Sequence, residues 1–234
     1  MFEESVLDGN YPGAIDDCSK AIELDPTNPD RYIDRARAKV LLNDDQEAID
    51  DFSKAIELNP DSPYNYLDRA DRKLYLKDYK GAMYDYSKAI ELDPENPTFY
   101  FKRGNAKGIH LVHDYQGERY AQEAIDDFSK AIELDPINPD RYIHRAVAKR
   151  IERDEKGAMY DYSKAIELDP KNSEMYMERA FFKREICDHH GAIDDYSKAI
   201  ELDPKDPQKF RYRADRRLYL EDYKGAIDDC SKAL

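Results

Sequence analysis

"SKAIELDP" at residues 19–26 returns letter for letter at 87–94, 129–136, 163–170 and 197–204. A near copy, "SKAIELNP", occupies 53–60, and "SKAL" closes the chain at 231–234. The prolines that end these stretches, Pro26, Pro60, Pro94, Pro136, Pro170 and Pro204, are spaced 34, 34, 42, 34 and 34 residues apart. A chain of self-similar pieces is counted in pieces, whatever its length. The units run 1–26 (partial), 27–60, 61–94, 95–136 (with an eight-residue insertion), 137–170, 171–204 and 205–234 (without its closing turn).

Each unit reads as two helices. In "GAIDDCSKAIELDP", Ala14, Ile15, Cys18, Ala21 and Ile22 fall on one apolar stripe of helical period, leaving Asp16, Lys20 and Glu23 to water. Asp25-Pro26 stops that helix, since proline lacks an amide hydrogen and constrains the residue before it. The other helix begins at Asn28-Pro29, Ser62-Pro63, Asn96-Pro97, Asn138-Pro139 and Asp206-Pro207, a capping side chain before a proline at the first helical position. Asn172-Ser173 keeps the cap without the proline. Tyr66, Leu67, Ala70 and Leu74 form its apolar stripe, and glycines at 81, 157, 191 and 225 are expected to turn the chain into the next helix.

These residues closely resemble the tetratricopeptide repeat family over essentially the whole chain. The likeness rests on small residues where helices touch, an aromatic in the second helix, and the closing proline. Ala36, Ala70, Gly104, Ala146, Ala180 and Ala214 are the small residues of the first helices, and Ala48 and Ala55 with their equivalents those of the second. The resemblance implies an all-α fold, one right-handed superhelix (solenoid) of antiparallel helix pairs over 1–234. The family's usual leucine and second tyrosine in the first helix are missing. Arg35, Arg69, Arg103, Arg145, Arg179 and Arg213 stand in the former slot, and Lys39, Lys73, Lys107, Lys149, Lys183 and Arg217 in the latter.

A cation on a packing face needs a partner. Asp17, Asp51, Asp85, Asp127, Asp161, Asp195 and Asp229 sit in every second helix beside the core aromatic. A ladder of Arg–Asp pairs is expected, either within a repeat (Arg35–Asp51) or across the boundary (Asp17–Arg35).

Composition narrows the function. The net charge of −14 opposes phosphate backbones and anionic membranes, so no nucleic-acid or membrane partner is expected. The longest aliphatic run, "VLL" at 40–42, is far too short to span a bilayer, and "MFEESVLDGN" has no signal-peptide pattern. Cys18, Cys187 and Cys230 lack framework spacing, which favours a reducing, cytoplasmic setting. Cys18 and Cys230 take the slot of Phe52, Tyr86, Phe128, Tyr162 and Tyr196 and read as small buried hydrophobes.

Catalytic motifs are missing: no phosphate loop, no metal-protease helix, no nucleophile elbow. Asp16-Asp17 and Asp50-Asp51 are sequence neighbours, which diverge on a helix. His110, His113 and "CDHH" at 187–190 lack a second ligand pair at metal spacing. No catalytic residue, metal or cofactor is therefore assigned. The insertion, "GIHLVHDYQGERYAQEA" at 108–124, is long enough for about two helical turns. Its Ile109, Leu111, Val112 and Tyr115 should pack.

The resemblance implies that the first helices line a concave, peptide-binding surface. Its candidates in this sequence are Asp30, Ile33, Asp34, Arg37, Tyr64, Leu67, Asp68, Asp71, Tyr75, Phe101, Lys102 and Asn105. Ile143, His144, Glu174, Met177, Glu178, Phe181, Arg211, Tyr212, Asp215 and Tyr219 continue the series. These positions vary between units, acids outnumber bases and aromatics recur. Such a surface should take a protein or peptide with basic and apolar side chains. The lysine slot of the family's chaperone-tail clamp holds Ile33, Leu67, Phe101, Ile143, Met177 and Arg211, and Asn105 alone matches its asparagine, which argues against that ligand. A non-enzymatic interaction scaffold is expected. The alternative is a self-stacking array, natural or engineered, that forms homo-oligomers through uncapped ends.

Overall fold

In a computed structural model the described residues are 10–113 and 117–233, with side chains described outside 110–119. The expectations for His110, Leu111, Val112, His113 and Tyr115 lie outside the described side chains. Thirteen α-helices make up the described chain. The second helices are α1 (Tyr11–Leu24), α3 (Asp45–Leu58), α5 (Tyr79–Leu92), α7 (Gly117–Leu134), α9 (Glu155–Leu168), α11 (His189–Leu202) and α13 (Tyr223–Lys232). The first helices are α2 (Pro29–Leu41), α4 (Pro63–Tyr75), α6 (Pro97–His113), α8 (Pro139–Ile151), α10 (Ser173–Glu185) and α12 (Pro207–Tyr219). The chain divides between Tyr120 and Ala121 into two compact units. Within each, consecutive helices pack on one another across short turns, which sets neighbours antiparallel.

Helix ends follow local chemistry. Asn28, Asn138, Asn172 and Asp206 each accept a hydrogen bond from the amide two residues on, so α10 is capped without a proline. Between first and second helices the chain passes through the left-handed region at Asn43, Lys77, Arg153, Cys187 and Glu221 (φ 59–65°). The amide that follows each of them reaches back five residues to a carbonyl of the first helix, as from Asp78 to Lys73 at 2.8 Å.

The glycines expected to make this turn do something else. Gly81, Gly157, Gly191 and Gly225 lie inside the second helix, where their amides donate to the capping carboxylates of Asp78, Asp154, Asp188 and Asp222. A Cβ on Gly157 would lie 2.0 Å from Asp154 Oδ2, so glycine is required for closeness and not for φ. Glu47 replaces it in one repeat, and there Asp44 makes no side-chain cap bond.

The small residues are buried as expected: Ala36, Ala70, Ala146 and Ala180 at 0 %, with Phe52, Tyr86, Phe128, Tyr162 and Tyr196 filling the space between helices. Cys18 is buried with them, whereas Cys230 is exposed, contrary to the sequence reading. No first helix is packed over that face of α13 among the described residues.

The ladder is built within repeats, not across the boundary. Arg35, Arg69, Arg145, Arg179 and Arg213 make bidentate bonds to Asp51, Asp85, Asp161, Asp195 and Asp229, with Nε at 2.8–2.9 Å and Nη2 at 2.6–2.7 Å. The same carboxylates accept from Lys39, Lys73, Lys149, Lys183 and Arg217 at 2.8–2.9 Å. Each arginine also donates to a serine of the preceding second helix, Ser19, Ser53, Ser129, Ser163 and Ser197, and Arg103 does so to Ser87, at 2.9–3.2 Å. Each stacks over the aromatic one turn back, as Arg69 over Tyr66 at 5.8 Å. One guanidinium thereby ties three helices together.

Candidate functional site

The expected binding positions fall on first-helix faces, and each unit presents its own set. In the first unit Asp30, Arg37, Tyr64 and Tyr75 are exposed, while Ile33, Asp34, Leu67, Asp68, Asp71, Phe101, Lys102 and Asn105 are half-buried. Arg37 pairs with Asp68 at 3.1 Å and Lys102 with Asp71 at 2.9 Å, each linking successive first helices. Asp68 and Asp71, two of the carboxylates expected to make this face acidic, are therefore already shared with basic neighbours. Tyr64 is 56 % exposed and stands edge-on to Phe99, 5.7 Å between ring centres. The Asn105 carboxamide oxygen is buried and accepts no hydrogen bond.

Arg37, Val40, Leu41, Asp68, Asp71, Arg72 and the inner Phe52 ring enclose an open pocket of about 250 Å³. Val40, Leu41 and Arg72 were not singled out from sequence. They sit one helical turn beyond Arg37 and Asp68, so extending the exposed stripe by one turn would have found them.

In the second unit His144, Glu174, Arg211, Asp215 and Tyr219 are exposed. Ile143, Glu178, Phe181 and Tyr212 are half-buried, and Met177 is buried at 4 %. Phe181 meets Tyr212 edge-on at 4.9 Å, and Tyr212 lies parallel to the inner Tyr196. Glu174 reaches the buried Lys209 at 3.3 Å. Burial pushes the Glu178 carboxyl above its ordinary range. Arg184, Arg211, Tyr212, Asp215 and Cys230 line a second pocket of about 360 Å³.

The inner tyrosines differ in how their hydroxyls are satisfied. Tyr86 donates to Asp71 at 2.5 Å, and its phenol is pushed up by burial first and by that carboxylate second. Tyr162 accepts from Arg150 at 3.3 Å, and Arg150 also holds Glu185 at 2.6 Å. Tyr196 has no hydrogen-bond partner for its hydroxyl.

Among the described residues no group of three His, Cys, Asp or Glu side chains is placed to hold a metal ion, and no helix is long and apolar enough to cross a membrane. In "CDHH", Cys187 occupies the left-handed turn and His189 packs on Tyr219 at 4.2 Å.

Residues 29–62 match a tetratricopeptide repeat family model, and residues 70–108 match a second model described as TPR repeat. No curated protein matches the sequence. Among solved structures, a tetratricopeptide repeat protein from Parabacteroides merdae ATCC 43184 is similar over 99% of this chain and 89% of its own, at 18% identity and TM-score 0.73. YrrB, a TPR protein with an unusual peptide-binding site, covers 80% of this chain with 93% of its own, at 20% identity and TM-score 0.63. MamA covers 76% with 92% of its own, at 20% identity and TM-score 0.66. At these identities the likeness is one of fold.

Proposed function

The chain belongs to the tetratricopeptide repeat family, and on that footing we propose that it is a non-enzymatic scaffold that binds a protein or peptide on its first-helix faces. The observation that carries this reading is the pocket between α2 and α4, where Val40, Leu41 and Phe52 supply an apolar floor under Asp68 and Asp71. An apolar anchor fits the floor, and a neighbouring lysine or arginine of the partner reaches the two carboxylates. Their present ion pairs do not prevent this, because exposed pairs contribute only ~0–1 kcal/mol each. The partner is therefore a peptide in which basic and apolar side chains alternate. No cofactor is needed, and neither nucleic acid nor an anionic membrane suits the charge of −14. Its free thiols suit a reducing cytoplasm.

The test is fluorescence anisotropy with a labelled peptide alternating lysine and leucine, beside one alternating glutamate and leucine. The lysine peptide should bind, and Tyr64→Ala or Asp68→Asn should each weaken it about fivefold or more, a loss of at least ~1 kcal/mol. Equal binding of both peptides, or indifference to both substitutions, would overturn the reading.

A second reading, an array that associates with its own copies, is favoured by the exposed Ile227 (68 %) and Cys230 on α13. Light scattering separates the two: a self-assembling chain grows with concentration, and Ile227→Lys should stop the growth.

A further inference from the structure

In the first unit the α2–α3 and α4–α5 turns lie side by side. Arg72 of α4 pairs with Asp45 at the head of α3 at 3.3 Å, lies over the Tyr75 ring at 6.0 Å, and lines one pocket with Leu41. Each turn begins with two large apolar residues, Leu41-Leu42 and Tyr75-Leu76, all of them 37–64 % exposed. In the second unit Glu152 and Glu185 break the doublet at two of the corresponding turns. At another, Tyr219-Leu220, the leucine is half-buried and Glu221 follows it. Glu152 ends α8 through the same backbone bonds that Leu76 makes at the end of α4, so the turn itself needs no apolar residue there. Four neighbouring apolar side chains that face water without serving the fold mark a contact surface.

The charges beside them say what covers this surface. The carboxylates of Asp78, Asp154, Asp188 and Asp222 accept from the amides they cap, whereas Asp44, with Glu47 in the glycine position, makes no side-chain cap bond. Lys77 takes the left-handed position of the α4–α5 turn. Asp44 and Lys77 are exposed, and neither side chain has a partner among the described residues. One turn thus carries an apolar doublet with a free anion, and the next an apolar doublet with a free cation. Such a patch complements itself when reversed: a two-fold rotation sets each turn against the other turn of a second copy. A contact between copies needs that cation, because chains of net charge −14 repel one another.

We propose that this edge of the first unit binds the same edge of a second copy. Leu41 and Leu42 pack on Tyr75 and Leu76 of the other copy, and Asp44 pairs with Lys77 at both ends of the contact. A two-fold contact of this kind closes at two copies, whereas association through α13 builds an array. Peptide binding plays no part in it.

The test is sedimentation velocity on the full chain from about 1 to 500 µM, the range in which a small interface associates. The mass should rise with concentration and level off at two copies. Asp44→Lys and Lys77→Asp each set like charges together at both ends and should weaken the dimer at least about tenfold. Neither disturbs the turn, since Asp44 makes no cap bond and aspartate tolerates the left-handed backbone at Lys77. Mixed in equal amounts, the two variants should dimerise as the unaltered chain does, because one brings two lysines to the contact and the other two aspartates. That recovery also shows both variants to be folded. A chain that stays monomeric throughout, a charge variant that dimerises undiminished, or a mixture that stays monomeric would each overturn the proposal. Growth beyond two copies that Ile227→Lys abolishes would assign the association to α13 and overturn the edge contact. No peptide is present in any sample, so the peptide-binding reading stands or falls separately.

Discussion

The arginine of each first helix stands where the family resemblance led one to expect a leucine; it fills a packing position and adds five directed hydrogen-bond donors. That exchange is safe only because the acceptors are supplied with it. Asp161 is fully buried and receives Arg145 and Lys149 together. Asp161→Ala should therefore cost ~3–5 kcal/mol in urea denaturation, since it strands two desolvated cations. Asp68→Ala, on a partly exposed pair, should cost about 1 kcal/mol or less. Comparable losses would mean that burial does not govern the ladder. Cys18 gives a second residue-scale expectation. Its thiol ionises at 9.0 when unfolded, but burial, aided by Asp34, pushes it up to about 11 in the fold. Between those values the unfolded chain loses its proton first, so stability is full below pH 9 and declines as pH rises towards 11. Thermal melts across that window should fall less steeply in Cys18→Ala. The existence of the pairs was legible in the sequence, because Arg and Asp recur in step with the aromatic. Their direction was not, since both spacings are 16 or 18 residues and only packing decides which carboxylate the guanidinium fork meets.

At the scale of helices, the starts were read correctly from prolines and capping residues, although Ser62, expected to cap α4, makes no side-chain cap bond; the turns between paired helices were not. Glycine suggested positive φ, yet the left-handed residues are Asn43, Lys77, Arg153, Cys187 and Glu221, none of them glycine. A single aspartate ends one helix through its amide and starts the next through its carboxylate, and it is this close approach that demands a neighbour without a Cβ. Two substitutions with opposite signs follow. Gly157→Ala brings a methyl against Asp154 and should lower stability by about 1 kcal/mol, the worth of a lost cap. Arg153→Gly removes a left-handed penalty at φ 59° and should raise stability by up to about 1 kcal/mol. Urea midpoints check both; if Gly157→Ala is neutral, the glycine is there for another reason. The faces proposed for binding were drawn from positions that vary between copies, which says nothing of their internal pairing. Arg37–Asp68 and Lys102–Asp71 join residues 31 apart, a separation set by the stacking of repeats and invisible in either helix alone. Met177 reads like its neighbours yet is buried, because the aromatic cluster around Tyr196 draws it inward.

For the molecule as a whole, each repeat touches chiefly the next, so damage should stay local. Asp229→Asn, in the last helix pair, should lose amide-exchange protection in α12 and α13 while α2–α5 keep theirs. Hydrogen exchange read by mass spectrometry decides this, and a uniform loss would mean that the array unfolds as one cooperative block. Composition and the 34-residue period made the all-α class readable at once; neither could reveal the division between Tyr120 and Ala121, since the octapeptide is the same on both sides. The three-helix arginine clamp has one more consequence. For Arg35, Arg69, Arg145, Arg179 and Arg213 the serine lies 16 residues before the arginine and the aspartate 16 after, so each of these clamps is centred on a seam between consecutive octapeptides. Excising 61–94 brings Arg103 to the same 16-residue distance from Ser53 that it now has from Ser87. Genetic gain or loss of a whole 34-residue block thus re-forms a clamp at each new junction from unaltered parts. A gene of this kind can change its copy number by recombination without first acquiring a compensating mutation.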